Sequence, residues 1–194
     1  MFIFDVETLD NKSNSVILSM ACIHFDDSES NANDLAGQYR KFLDSAFFVK
    51  FDVNDQVKRF SRSISKSTVD WWTKQCDHAK IKSFIPNSTD VKIEDGIEQM
   101  KIWANQFDDG KAWVWARGGL DQMVLDSFEE TLDFEPTFHF SRWRDVRTAV
   151  DFLTGSTNGY CNIPKFDSQA YVIKHDPVHD CAYDIMMLLY GKNK

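Results

Sequence analysis

The sequence has no apolar run approaching the ~18 residues that a membrane-spanning helix needs. Its first residues carry no basic region and pass straight into apolar Phe2-Ile-Phe4, so no signal peptide is expected. Cysteine is sparse: Cys22, Cys76, Cys161 and Cys181 stand far apart, with no C-x-x-C pair among them. That argues against a zinc site and fits reduced thiols in a cytoplasmic setting. No internal repeat and no linker interrupts the chain, and a single domain over 1–194 is expected. A basic surplus is missing too. The 22 Lys and Arg are outnumbered by 30 Asp and Glu, for a net charge of −8, which opposes a broad basic surface for duplex nucleic acid. An acidic metal centre remains compatible with that balance, because bound cations offset carboxylates locally.

What is present is core material. Hydrophobic residues make up 43% of the 194, with 16 Phe and 6 Trp, which describes a globular chain long enough to bury a real core. Residues 2–7 read as a first strand, Val16 to Phe25 as a second and Phe47 to Phe51 as a third, with 26–34 as loop. Short connections between them suggest an antiparallel meander. Residues 53–66 are polar with scattered Lys58, Arg59, Arg62 and Lys66, of which Arg59, Arg62 and Lys66 read as a solvated face or, alternatively, a basic track. Ser67 or Thr68 can cap a helix from Val69 to Ser83, with Val69, Trp72, Cys76 and Ala79 inward. A second helix runs to Phe107 through Ile93, Ile97, Met100 and Ala104. Ala112 to Ala116 is a strand, and Gly118-Gly119 turns the chain into a helix with Val124, Leu125, Phe128 and Leu132 inward. Phe138 to Phe140 reads as an edge strand, Asp145 to Leu153 as a helix and 154–168 as loop. The last helix spans Pro177 to Tyr190. This order is that of an α/β protein.

Chemistry concentrates at three places. Strand alternation puts Asp5 and Glu7 on one face at the end of the first strand. Two carboxylates losing hydration side by side need a cation, a basic partner or a shared proton. Asp121 falls in the first turn of the helix after 112–116. It can serve there as a favourable charge at a helix N-terminus, or as a ligand at a strand's carboxyl end. In His175-Asp-Pro-Val-His-Asp180, Pro177 suits the first helical position and Asp176 the N-cap. His175 and Asp180 then occupy the two positions that meet in a hydrophobic staple. His179 lies about 100° round the helix from Asp180 and is the weaker candidate.

Asp5-x-Glu7 on a first strand, an Asp entering a mid-chain helix and His-x4-Asp before a C-terminal helix together resemble the DEDDh exonucleases of the RNase H-like fold. Further segments extend the likeness over nearly the whole chain, in order. Phe4-Asp-Val-Glu-Thr-Leu9, Ser15-Val-Ile-Leu-Ser-Met20, Thr68-x-x-Trp-Trp-x-x-Gln75, Trp115-Ala-Arg-Gly-Gly119 and Arg144-Asp-Val-Arg-Thr148 resemble the exonuclease A group of T-even phages, which includes a mycobacterial exoribonuclease. The resemblance implies a mixed central sheet with helices on both faces. It implies that Asp5, Glu7, Asp121 and Asp180 hold two Mg²⁺ ions, with Mn²⁺ able to substitute, and that His175 is the general base. The implied reaction is 3′→5′ hydrolysis of single-stranded DNA or RNA, or of 3′ overhangs, to nucleoside 5′-monophosphates. Thr8 and Leu9 would border the terminal nucleotide, Trp71 and Gln75 a base, and Arg117 a phosphate. A homodimer is compatible with this reading. Two rivals remain: a non-catalytic nucleic-acid-binding module retaining the fold, and a haloacid-dehalogenase-type phosphatase, to whose D-x-D-x-T motif Asp5-Val-Glu-Thr8 bears a superficial likeness.

Overall fold

The computed structural model describes residues 1–29, 31–108 and 110–191. Strand β1 (Phe2–Thr8) pairs antiparallel with β2 (Ile17–His24), from Phe2 opposite His24 to Glu7 opposite Ser19, with an irregularity at Glu7/Thr8. Helix α1 (Leu35–Asp44) leads to β3 (Phe47–Lys50), which runs antiparallel to β2. The chain continues through α2 (Val53–Phe60), α3 (Lys66–Trp72), α4 (Asp77–Ala79), a π-helical turn at Lys80–Phe84, and α5 (Ile93–Ala104). Strand β4 (Val114–Ala116) returns parallel to β1 and is followed by α6 (Leu120–Thr131). Strand β5 (Trp143–Asp145) lies parallel to β4 and opens directly into α7 (Val146–Thr154). The short α8 (Ser168–Tyr171) and the long α9 (Pro177–Tyr190) complete the order. The five strands lie in the order β3-β2-β1-β4-β5, a mixed sheet with β1 at its centre.

Alternation along β1 builds both layers. Phe2, Phe4 and Val6 enter a core with Ile97 and Met100 of α5 and Val124 and Phe128 of α6. Ile3 enters the other core, with Tyr39 of α1, Val150 of α7 and Ile185 of α9. Asp5 and Glu7 share the face of Ile3, so the period of two carries them toward α9. The early meander is antiparallel as expected, but the β2–β3 connection is not short. It contains α1, capped by Asp34, whose Oδ1 accepts from Gly37 N–H at 2.8 Å. Its inward Leu35, Tyr39 and Phe42 stand at helical spacing.

Four further expectations are corrected. The stretch 53–66 is not a solvated face throughout. It forms α2, whose Gln56 is fully buried, and Arg62 is buried after it, its guanidinium over the Phe128 ring. The single helix expected over 69–83 is broken. Trp72 and Ala79 are buried as read, but Cys76 is exposed and extended (φ −62°, ψ 156°) as the cap of α4. Trp72 fixes the break: its Nε1–H donates to Thr8 O at 3.0 Å while its ring stacks on Phe84. The edge strand falls at 143–145 rather than 138–140, and Phe107 lies exposed beyond the end of α5.

Gln56 acts as a side-chain strand partner for β2: Oε1 accepts from Ile17 N–H at 2.9 Å and Nε2 donates to Ile17 O at 2.7 Å. Gln56→Ala leaves two buried backbone groups unpaired and is expected to cost about 2–4 kcal/mol in urea unfolding. Arg59→Ala, which removes an exposed guanidinium paired with Asp55 and Glu94 and lying over the Phe60 ring, should stay within ~1 kcal/mol. Equal losses in the two variants would contradict this role for Gln56.

Candidate active site

Three elements bring the carboxylates together. Strand β1 delivers Asp5 and Glu7 at its carboxyl end. After β4, Gly118 adopts a left-handed conformation (φ 89°) that L side chains rarely take, and its N–H donates to Asp145 Oδ2 at 2.8 Å. This turn starts α6, placing Asp121 in the first turn, where its Oδ1 accepts from Val6 N–H at 3.4 Å. Pro177 opens α9 behind the N-cap Asp176, whose Oδ1 accepts from Val178 N–H at 3.0 Å. His175, just before the cap, has φ 63°, and its N–H donates to Asp180 Oδ2 at 3.0 Å. The two staple positions are therefore neighbours, as the helix register implied. Ligand atoms of Glu7, His175 and Asp180 all lie within 4.8 Å of one another. Asp5, Glu7, Asp121, His175 and Asp180 together line a cleft of about 940 Å³.

The electrostatics are those of an unneutralised anionic cluster. Burial, reinforced by the surrounding carboxylates, raises Asp5 and Glu7 well above their ordinary values. Asp121 and Asp180 are pushed up to about 7, burial being the largest cause in each. His175 is shifted the other way, lowered by burial and then by Lys174. All-oxygen donors crowded in this way suit a hard divalent cation, whose charge would replace the protons that otherwise relieve the repulsion.

The flanking candidates divide. Trp71 is 40% exposed, and its ring meets His175 edge-on at 4.6 Å. Leu9 is only 4% exposed and packs with Val16, Leu18 and Trp72, so its side chain belongs to the core. Thr8 donates its hydroxyl to Asp10 O at 2.9 Å, and Gln75 returns its Nε2–H to Trp71 O at 2.9 Å. Arg117 lines the cleft but is held there. Its Nε–H reaches both oxygens of Asp184 at 3.1 Å, and Nη1 donates to Gly159 O at 2.9 Å. Asp184 is a buried fifth acid that the sequence reading missed. Its signal was present, because Asp184 follows Asp180 by four residues and so shares its helix face. His179 is engaged elsewhere, its Nδ1 2.9 Å from Tyr39 Oη, and His78 pairs with Asp176 at 2.8 Å.

Comparison with known proteins accords with this geometry. The model of the 3′-5′ exoribonuclease Rv2179c-like domain matches residues 1–190. The chain belongs to this exonuclease family. It is 29% identical over 212 residues to the exodeoxyribonuclease of Enterobacteria phage T4, covering 98% of this chain and 88% of that protein. Among solved structures it resembles cell-death related nuclease 4 (CRN-4), with a TM-score of 0.59 and 16% identity over 97% of this chain. The chain spans 62% of that nuclease, and the likeness supports the α/β, RNase H-like fold. The protein is thus a 3′-5′ exonuclease of the phage and mycobacterial group. Exonucleases of this family are generally dependent on divalent metals.

The raised carboxylates predict an unusual stability profile for the metal-free protein. The unfolded chain releases these protons near the ordinary value of 3.8 for Asp, whereas folded Asp121 and Asp180 hold them to about 7. The folded state therefore binds more protons across that window, and the stabilisation is lost as pH rises through it. In EDTA, the unfolding temperature should fall by ~5 °C or more between about pH 5 and 8. Asp121→Asn should flatten the slope. A profile in EDTA that is flat or rises over this range would contradict the account.

Proposed function

We propose that the protein removes nucleotides from the 3′ ends of single-stranded DNA or RNA, or from 3′ overhangs, releasing nucleoside 5′-monophosphates. The observation that carries this reading is the juxtaposition of Glu7, His175 and Asp180 beside Asp5 and Asp121 at the carboxyl end of β1. Asp5, Glu7, Asp121 and Asp180 would hold two Mg²⁺ ions, or Mn²⁺, which when bound supply positive charge for the attacking water and for the departing 3′ oxygen. His175 is the general base. Its lowered pKa keeps the imidazole neutral at neutral pH, ready to accept the water's proton. The backbone bond from His175 N–H to Asp180 holds that base at the edge of the cluster. Trp71, exposed against His175, offers a face or edge on which a terminal base can stack.

DNA and RNA are both retained as substrates. The family description names an exoribonuclease, whereas the phage relative is named an exodeoxyribonuclease. The net charge of −8 favours single strands over duplex. Among the described residues no helix is long and apolar enough to cross a membrane.

Matched 5′-labelled DNA and RNA oligonucleotides test the proposal. A ladder shortened from the 3′ end should appear with Mg²⁺ or Mn²⁺ and vanish in EDTA, and a ladder undiminished in excess EDTA would overturn it. His175→Ala should lower kcat by ~10² or more. His179→Ala should cost much less, because that ring is engaged with Tyr39. The reverse order would remove His175 from the role of base.

A further inference from the structure

The catalytic cleft does not end at its carboxylates. A second hollow of about 480 Å³ adjoins it, and the two share Tyr160, Ser168 and Tyr183 as common wall. Their chemistry differs. The cleft gathers five acids with Arg117, Arg147 and Lys174 at its margin. The hollow, among the described residues, is lined by no charged side chain. Hydroxyls and amides of Thr157, Asn158 and Asn162 face it beside the rings of Tyr160 and Phe166.

The hollow is built rather than incidental. Its loop is pinned by Gly159 N–H to Asp151 Oδ1 at 2.8 Å and by Tyr160 N–H to Asn158 Oδ1 at 3.1 Å. Phe166 stacks with Tyr171 at 5.5 Å and with Tyr183 at 6.4 Å. The guanidinium of Arg117 lies 4.2 Å over the Tyr160 ring, which is 50% exposed. Size, polarity and aromatic walls match a site for a small organic ligand. Continuity with the cleft narrows the class. A phosphodiester strand that leaves the cations of the active centre carries unneutralised phosphates across a protein of net charge −8. Its least repulsive exit is a wall free of carboxylates beside Arg117, Arg147 and Lys174. Aromatic rings and amide groups along that wall can take bases without regard to sequence.

We infer that this hollow is the subsite for nucleotides lying 5′ of the penultimate one, the strand crossing Tyr160 and Tyr183 to reach it. The inference rests on the exonuclease reading and adds a length dependence to it. A dinucleotide fills only the catalytic cleft, whereas a longer strand also fills the hollow. Thr157 and Asn162 are exposed, so Thr157→Glu/Asn162→Glu adds charge to the hollow without opening the core.

The test compares kcat/KM for a dinucleotide and a ten-nucleotide single strand in wild-type and double-variant protein. The ratio of long to short should fall at least about fivefold in the variant, through a raised KM for the long strand. An unchanged ratio overturns the inference, whether both rates hold or both fall together. A wild-type protein that cleaves neither substrate overturns the exonuclease reading instead. An independent readout needs no variant. 2-Aminopurine at the third position from the 3′ end, bound to wild-type protein with Ca²⁺, should change its fluorescence several-fold more than the same probe at the tenth. Equal responses at the two positions overturn the inference.

Discussion

Mutual repulsion among Asp5, Glu7, Asp121 and Asp180 is the constraint on which the rest of the structure depends. Two unit charges ~4 Å apart interact by about 4 kcal/mol at an effective dielectric constant near 20, a large fraction of the stability of an ordinary domain. Burial adds to this by removing water from each group. The fold concentrates that cost at the carboxyl end of its central strand and surrounds it with rigid support. There β1 is paired with β2, Trp72 anchors Thr8, and Asp121 accepts from the N–H of Val6. A chain that places four acids in this way is least stable when they are all ionised and no cation is present.

The surrounding charges are arranged to limit that cost without removing it. Arg117 is committed to Asp184 and offsets part of the fifth acid's charge, although burial still raises Asp184 above its ordinary value. Burial, and then Lys174, lower the pKa of His175, which disfavours an imidazolium competing for the carboxylates. The six-residue segment from His175 to Asp180 divides its side chains between two tasks. His175 and Asp180 face the cluster, while Asp176 caps α9 and pairs with His78, and His179 meets Tyr39. Placement of the candidate base and ligand is therefore inseparable from helix anchoring in this segment.

The main features of the site were legible because each rests on a local rule. Alternation placed Asp5 and Glu7 together, and Pro177 with Asp176 set the register that made His175 and Asp180 neighbours. Fold features that depend on tertiary context were not. In helix α2 Val53, Val57 and Phe60 stand at helical spacing, but the side chain buried outright is the polar Gln56, which only its pairing with β2 explains. The break between α3 and α4 follows from Trp72 docking under β1, a contact invisible in helical spacing. Arg62 reads as a surface cation but is buried over Phe128 because Ser127 Oγ and Ser13 O accept its N–H groups. Leu9 would share the face of Asp5 and Glu7 by simple alternation, but it lies past the end of β1 and its irregularity at Glu7/Thr8, and its side chain packs with Val16, Leu18 and Trp72. Helix α1, with Leu35, Tyr39 and Phe42 at helical spacing, and Asp184, one turn beyond Asp180, both follow from local spacing.

On the proposed function, protons occupy the carboxylate cluster until a divalent cation takes their place. The most direct measurement is calorimetric titration of Mn²⁺ into the metal-free protein at about pH 6.5, in two buffers of different ionisation enthalpy. The account predicts binding that releases at least about one proton per protein, with both affinity and release reduced in Asp121→Asn. Binding without proton release, or binding indifferent to Asp121→Asn, would contradict it.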